Sequence, residues 1–350
     1  MNLCARLITA VALVTGGSVA AQPIIDLHVH TAGIGAGDSG AFINREMRES
    51  WKFRIYLAAF GVSLEEIETH GDALLVGRIS ERIERSERID KAVVLAMDGV
   101  VDRDGKIDRE ATQIFVPNEL VARETAKYDN LLFGASVNPY RPDAIERLEW
   151  AHENGAVLVK WLPNIMHMDP GDESILPFYK RMAELELPLL SHTGAERSFE
   201  SAQDELGDPD RLRLPLETGV TVIAAHIAAT GRTDGAGNFD RLVAMFASYP
   251  NLYADVSSLT QINRLGYLKR ALGIPGLAER LVYGSDWPLQ FFPLVSPWYH
   301  VRHVGIARAR SIGRIDNAWD RDVALKEALG LPRSVLQRSA TLLPAHTSSR

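Results

Sequence analysis

The sequence predicts an α/β fold, a (β/α)8 barrel of the TIM type with extra C-terminal helices, on three observations. Eight short apolar runs recur along the 350 residues, most of them followed by a helical pattern. The runs are apolar without alternation, as parallel strands buried on both faces require. Polar residues able to do chemistry fall at the C-terminal ends of several runs, the rim on which such a barrel carries its site. A doubly wound open sheet is the alternative that pattern alone leaves.

In chain order the strands are expected at 24–30, 92–97, 131–137, 156–161, 187–192, 221–226, 252–256 and 280–284. Ser63 with Glu66 reads as a capping box that opens a long charged helix to about residue 88. Further helices are expected at 118–127, 143–153, 174–186, 239–248 and 261–272, and the chain from about 298 onward packs as added helices. No linker or internal repeat divides residues 22–345, which are read as one domain. Two connections are long: the one after the first strand, opening with the Gly-rich stretch 33–40, and the one after the fifth, about 194–210.

Residues 1–21 read as a secretory signal. Arg6 is the only charge in that stretch, Leu7 to Val14 is an apolar run too short to span a bilayer, and Ser18-Val19-Ala20-Ala21 offers a small-residue cleavage site. The expected location is the periplasm or the medium. The single cysteine, Cys4, lies inside the signal, so the mature chain would rely on its core rather than on disulfides. The formal net charge of −7 and the lack of a basic, aromatic-interleaved run argue against nucleic acid as a partner. The expected partner is a small-molecule substrate, with no membrane contact after signal cleavage and assembly into a homo-oligomer left open.

The first strand carries the chemistry most plainly. His28 and His30 in IIDLHVHT stand two apart on a strand, so their imidazoles share a side, and two converging imidazoles suit a divalent metal such as zinc. Asp26 is expected on the same face, deeper, as a partner of those ligands. His192 closes the fifth run, His226 the sixth, and Asp286 follows the eighth. Each alone is weak; together they bring histidines and a carboxylate to one rim. Lys160 closes the fourth run, read either as a carboxylated lysine bridging two metals or as an ammonium that meets the substrate. His167 and Asp169 in the next loop are read as candidates to face the substrate; Arg45, Arg48, Lys52, Arg197 and Arg213 lie in segments that could overhang the mouth and bind a substrate carboxylate, but each is read first as solvated surface charge. Residues 35–40 match G-x-G-x-x-G. The strand before them ends in HxH and no acidic residue follows at the right distance, so a flexible loop over the site is expected rather than a dinucleotide fingerprint.

This set, with the wording HTG, AAHIA and YGSDWP, resembles the amidohydrolase superfamily. Within it the chain is similar to the amidohydrolase-related branch that also holds aminocarboxymuconate-semialdehyde-decarboxylase-like enzymes. The resemblance runs from about residue 23 to 343. It implies that His28, His30, His192 and Asp286 ligate metal and that His226 is the base or polarising residue, with His226 and Lys160 as ligands should a second metal be present. One departure from the branch, Ser339 before Ala340 where an Asn-Ala pair is usual, bears on packing. DLHVHT also resembles the opening of the polymerase-and-histidinol-phosphatase phosphoesterases, but their later Asp-His pairs are missing.

The function expected from the resemblance is metal-dependent hydrolysis of an amide, lactone or ester in a small molecule, with one tightly held divalent ion, zinc before others. Asp286 and His226 are the expected catalytic pair, and Lys160, Arg197 and His167 the expected substrate contacts. The alternative is a metal-dependent decarboxylase of an unsaturated or aromatic acid built on the same ligands.

Overall fold

The computed structural model describes residues 22–344. The expected signal, 1–21, and residue 345 of the expected domain lie outside them. Eight strands form one parallel sheet in chain order. They are β1 (Ile25–His30), β2 (Lys91–Leu95), β3 (Leu131–Ala135), β4 (Ala156–Trp161), β5 (Leu189–Ser191), β6 (Val222–Ala224), β7 (Leu252–Asp255) and β8 (Leu281–Val282). All seven neighbouring pairs are parallel. The first strand then meets the chain around the last. Leu27 N donates to Tyr283 O (3.3 Å), Asp286 N to His28 O (2.9 Å) and His30 N to Trp287 O (3.0 Å). These bonds close the sheet on itself, which rules out the doubly wound alternative.

Closure sorts the core into two layers. Leu27, Leu95, Leu158, Leu190, Ile223 and Val282 meet inside the barrel, with Leu343 from the C-terminal end packed on the same cluster. The larger cluster lies between strands and helices. Strand side chains repeat every two residues. The position two beyond Leu158 is therefore Lys160, and two beyond Leu190 is His192. A polar layer sits directly above the apolar lumen, at the C-terminal rim. Ser339 is fully buried and its hydroxyl bonds both N and O of Tyr283, which agrees with the packing role expected of it.

The connection after β1 is largely helical: α1 (Arg45–Glu49), α2 (Trp51–Phe60), α3 (Leu64–His70) and α4 (Ala73–Glu84). The Ser63–Glu66 capping box is present, but the long helix expected behind it breaks at Gly71 and Asp72. Asp72 is buried, and its carboxylate accepts from the amides of Ile34 and Gly35 at 2.9 Å each and from Ser39 Oγ. The Gly-rich stretch is thus held in place, with two of its amides already committed to a carboxylate. No helix among the described residues is long and apolar enough to cross a membrane.

Candidate metal centre

Three donor atoms converge at the mouth. His28 Nε2 and His30 Nε2 are 3.1 Å apart, and Asp286 Oδ1 lies 3.5 and 3.4 Å from them. Ligands about 2.0–2.1 Å from a tetrahedral ion stand roughly 3.3 Å from one another. The triangle therefore has the edge lengths of three corners of such a site. The tautomer of His28 fits as well. Its Nδ1 lies 2.8 Å from Asp255 Oδ2, and a carboxylate only accepts, so Nδ1 carries the proton and Nε2 offers a lone pair. Burial, with the nearby Lys160 charge, pushes the His28 pKa down to about 4, which keeps the ring neutral as a ligand must be.

His192 is the fourth expected ligand. It is buried with Nε2 unpartnered, its Nδ1 is 3.5 Å from Glu196 Oε2, and its ring meets His226 edge-on with centroids 5.2 Å apart. It belongs to neither group of donor atoms that lie within 4.8 Å of one another. The structure therefore brings three of the four together and stands the fourth beside them with a free nitrogen. The second such group is His28, His226 and Asp255. There Asp255 Oδ2 is engaged by His28, while Oδ1 accepts from His226 N (2.8 Å), Ser257 N (3.0 Å) and Ser257 Oγ. That carboxylate orients its neighbours.

His226 is held from the same hub. Ser257 Oγ donates to Asp255, so it accepts from His226 Nδ1 at 2.7 Å. This leaves Nε2 of a ring that burial keeps neutral as an acceptor. The backbone is strained here: His226, Ile227 and Ala228 run consecutively at φ 57°, 46° and 49°, and Ser258 and Asp286 are also left-handed at 57° and 65°. Such residues cost on the order of 1–3 kcal/mol each and gather where geometry serves function. Gly284 completes the fit: a Cβ there would lie 2.9 Å from His28 Cβ and 3.1 Å from Asp255 Oδ2.

Burial alone would raise the Asp286 pKa, but the imidazoles of His226, His30 and His28 around it hold the carboxyl well below the usual range. Its second oxygen accepts from Ser258 Oγ at 2.5 Å. Gln261 Nε2 donates to Ser258 Oγ (2.8 Å), and Arg264 Nη1 donates to Gln261 Oε1 (2.9 Å). Three residues spaced three apart after β7 thus form one directed chain to Asp286. Lys160 is fully buried with Nζ unpartnered, and burial lowers its pKa to about 8 against the pull of Asp255, Asp286 and Glu196. Lys160, the four histidines and Asp286 all line one cavity of about 330 Å³.

Several sequence expectations are corrected. Asp26 does not share the ligand face. The register shifts between Asp26 and Val29, and the Asp26 carboxylate turns to Trp319 Nε1 (2.7 Å) and Ser285 N (2.9 Å) instead. His167 bonds the carbonyl of Ser201 at 3.0 Å and is not among the cavity-lining residues. Asp169 pairs with Arg211. In line with the surface reading, Arg45 and Arg213 pair at the surface with Glu49 and Asp210, and Arg48 with Glu68. Arg197 and Lys52 do line the cavity. Residues missed from sequence are Asp255, Ser257, Ser258, Gln261, Arg264 and Glu196. The available signal was a buried-strand run, NLYAD, ending in a carboxylate.

A family model described as amidohydrolase matches residues 68–299, well over half of the chain. This chain belongs to the amidohydrolase family. The match begins beyond β1, so His28 and His30 join the family's portion of the site through the fold. No curated protein matches significantly in sequence. Among solved structures, the amidohydrolase is similar to an uncharacterised TIM-barrel protein of Bordetella bronchiseptica (16% identity, 87% of this chain and 99% of that one, TM-score 0.52). It is also similar to a dihydroxybenzoic acid decarboxylase of Polaromonas sp. with bound manganese (15%, 94% and 100%, 0.51). A third is a Pseudomonas putida protein described as a 2-pyrone-4,6-dicarboxylic acid hydrolase (17%, 92% and 94%, 0.49). At these identities the first two likenesses bear on the barrel alone.

Proposed function

We propose that this amidohydrolase is a metal-dependent hydrolase that cleaves an amide, lactone or ester bond in a small molecule, with zinc as its ion. His28, His30 and Asp286 would hold the ion, with His192 as the further donor. When bound, a divalent ion supplies a Lewis acid that polarises the scissile carbonyl and lowers the pKa of water toward neutrality.

One observation carries the choice of hydrolysis: Asp286 and His226 both present proton acceptors. Asp286 is ionised, and Ser258 steadies its Oδ2 as the oxygen that takes the proton of the attacking water and returns it to the leaving group. His226 presents a bare Nε2, because Ser257 occupies Nδ1, so it shares in proton traffic rather than donating to an oxyanion. A carboxy-lyase on the same ligands must instead hand a proton to carbon. With His226 as its acid, that reaction starts from the protonated ring, whereas burial keeps the resting ring neutral and ready to accept.

The test is a screen of metal-replete protein against lactones, N-acyl amino acids and aryl esters, run beside carbon dioxide release from aromatic acids. Hydrolysis that collapses in Asp286→Asn with metal resupplied is the expected result. Carbon dioxide release without hydrolysis would overturn the reading. Elemental analysis distinguishes zinc from manganese. Under the same proposal the enzyme is exported to the periplasm or the medium, a reading supported by the signal-like residues 1–21. N-terminal sequencing of exported protein should find cleavage near Ala20 or Ala21.

A further inference from the structure

Arg264 is a buried cation that the hydrolytic reading does not use. It is 6% exposed and lines the cavity that holds the histidines and Asp286. Its Nη1 donates to Gln261 Oε1 at 2.9 Å, and its Nε is buried without a partner. Asp286, Glu196 and Asp255 attract it from a distance, but among the described residues no carboxylate forms an ion pair with it within 4.0 Å. A guanidinium bonded only through Nη1 keeps its Nε side free, and that side, Nε–H beside Nη2–H, is one of the two-pronged edges that grip a carboxylate. A buried cation without a direct ion-pair partner is costly, and packing alone gives no reason to keep one. The wall around it is largely apolar, with Phe53, Phe199, Phe291 and Leu294 on the same cavity.

We propose that Arg264 is the anchor for a carboxylate on the substrate, and that the substrate is therefore an acid with an apolar body. The inference rests on the hydrolytic reading only in naming that molecule the substrate. The carboxylate here is a handle, separate from the bond that is cleaved. Seating it would complete the pairing of Arg264, whose other edge is tied through Gln261 and Ser258 to Asp286. Occupancy of the handle would thus steady the residue that receives the proton. Specificity would follow from the unmet charge: a neutral analogue leaves the guanidinium buried and unpaired.

Binding of benzoate and of its neutral isostere benzamide to the metal-replete protein tests this, measured by calorimetry on the wild type, Arg264→Gln, Arg264→Lys and Lys160→Ala. Wild type should prefer benzoate by about 10-fold or more, the range expected of a charge-assisted hydrogen bond. The preference should vanish in Arg264→Gln, persist in part in Arg264→Lys, where charge remains without the fork, and survive in Lys160→Ala. Arg264→Gln should keep its metal and melt no lower than wild type, because an unpaired buried charge has been removed. No preference in wild type would overturn the proposal. So would a preference kept in Arg264→Gln, which would seat the anion on the metal or on Lys160. A variant that loses metal or melts lower would mark Arg264 as a structural brace and overturn it too. The two readings fail separately. An Arg264-dependent preference in a protein that hydrolyses nothing leaves the carboxylate site standing, and hydrolysis of neutral substrates alone removes it.

Discussion

Asp255 Oδ2 lies 2.8 Å from His28 Nδ1, with both side chains wholly buried. The contact joins the end of β7 to β1 across the barrel mouth and sets which His28 nitrogen faces the cavity. An orienting partner of this kind is typically worth 10–100-fold in metal affinity. Asp255→Asn should therefore weaken metal binding by about that factor while the fold, read by circular dichroism, is kept. Chelator competition measures it. Unchanged affinity would mean that the carboxylate does not set the ligand.

His30 and His226 should separate by role. His30→Ala removes a corner of the 3.1–3.5 Å donor triangle, so metal and turnover should be lost together. His226→Ala should leave the metal content near wild type and cost roughly 10²-fold or more in turnover, the range of general acid–base groups. Elemental analysis beside kinetics makes the comparison, and equal metal loss in both variants would contradict it.

Gly284 tests the packing beneath the site. A methyl group there would sit 2.9 Å from His28 Cβ, closer than real contacts allow, so His28 or β8 must move. Gly284→Ala should lower metal affinity without altering any ligand atom. A variant with wild-type affinity and melting temperature would show that the mouth has slack.

Lys160 bears on the number of metals. Its buried, unpartnered amine suits either a carboxylated bridge or a free substrate contact. Asp255 is already committed to hydrogen bonds and His192 stands apart from the donor triangle, so one tightly held ion per chain is expected. That ion should survive Lys160→Ala. Two ions per chain in bicarbonate-treated protein, falling in the variant, would reverse the conclusion.

Much of the architecture was legible in the residues. Buried parallel strands must be apolar on both faces, so eight runs stand out; Ala156–Trp161 matches its expected bounds, and the others lie within a few residues of theirs. His28, His30, His192, His226, Lys160 and Asp286 were visible because a polar residue ending an apolar run contrasts with its neighbours. The helices α1 and α2 were hidden behind the Gly-rich opening of their connection, and the break at Gly71 interrupts an otherwise continuous helical pattern.

The sequence by itself therefore determined the strand count, the rim on which the polar layer sits and which residues are candidate donors, since each depends on local periodicity and residue type. The tertiary structure alone decided who meets whom. The register shift in β1 turned Asp26 toward Trp319 and left His28 for Asp255. Closure of β1 on the β8 segment brought Asp286 Oδ1 within 3.5 Å of two imidazoles more than 250 positions earlier. The chain after β7 folded Ser258, Gln261 and Arg264 into one hydrogen-bonded line. These pairings arise from barrel closure and from the need to satisfy buried polar atoms, and no window of neighbouring residues contains either.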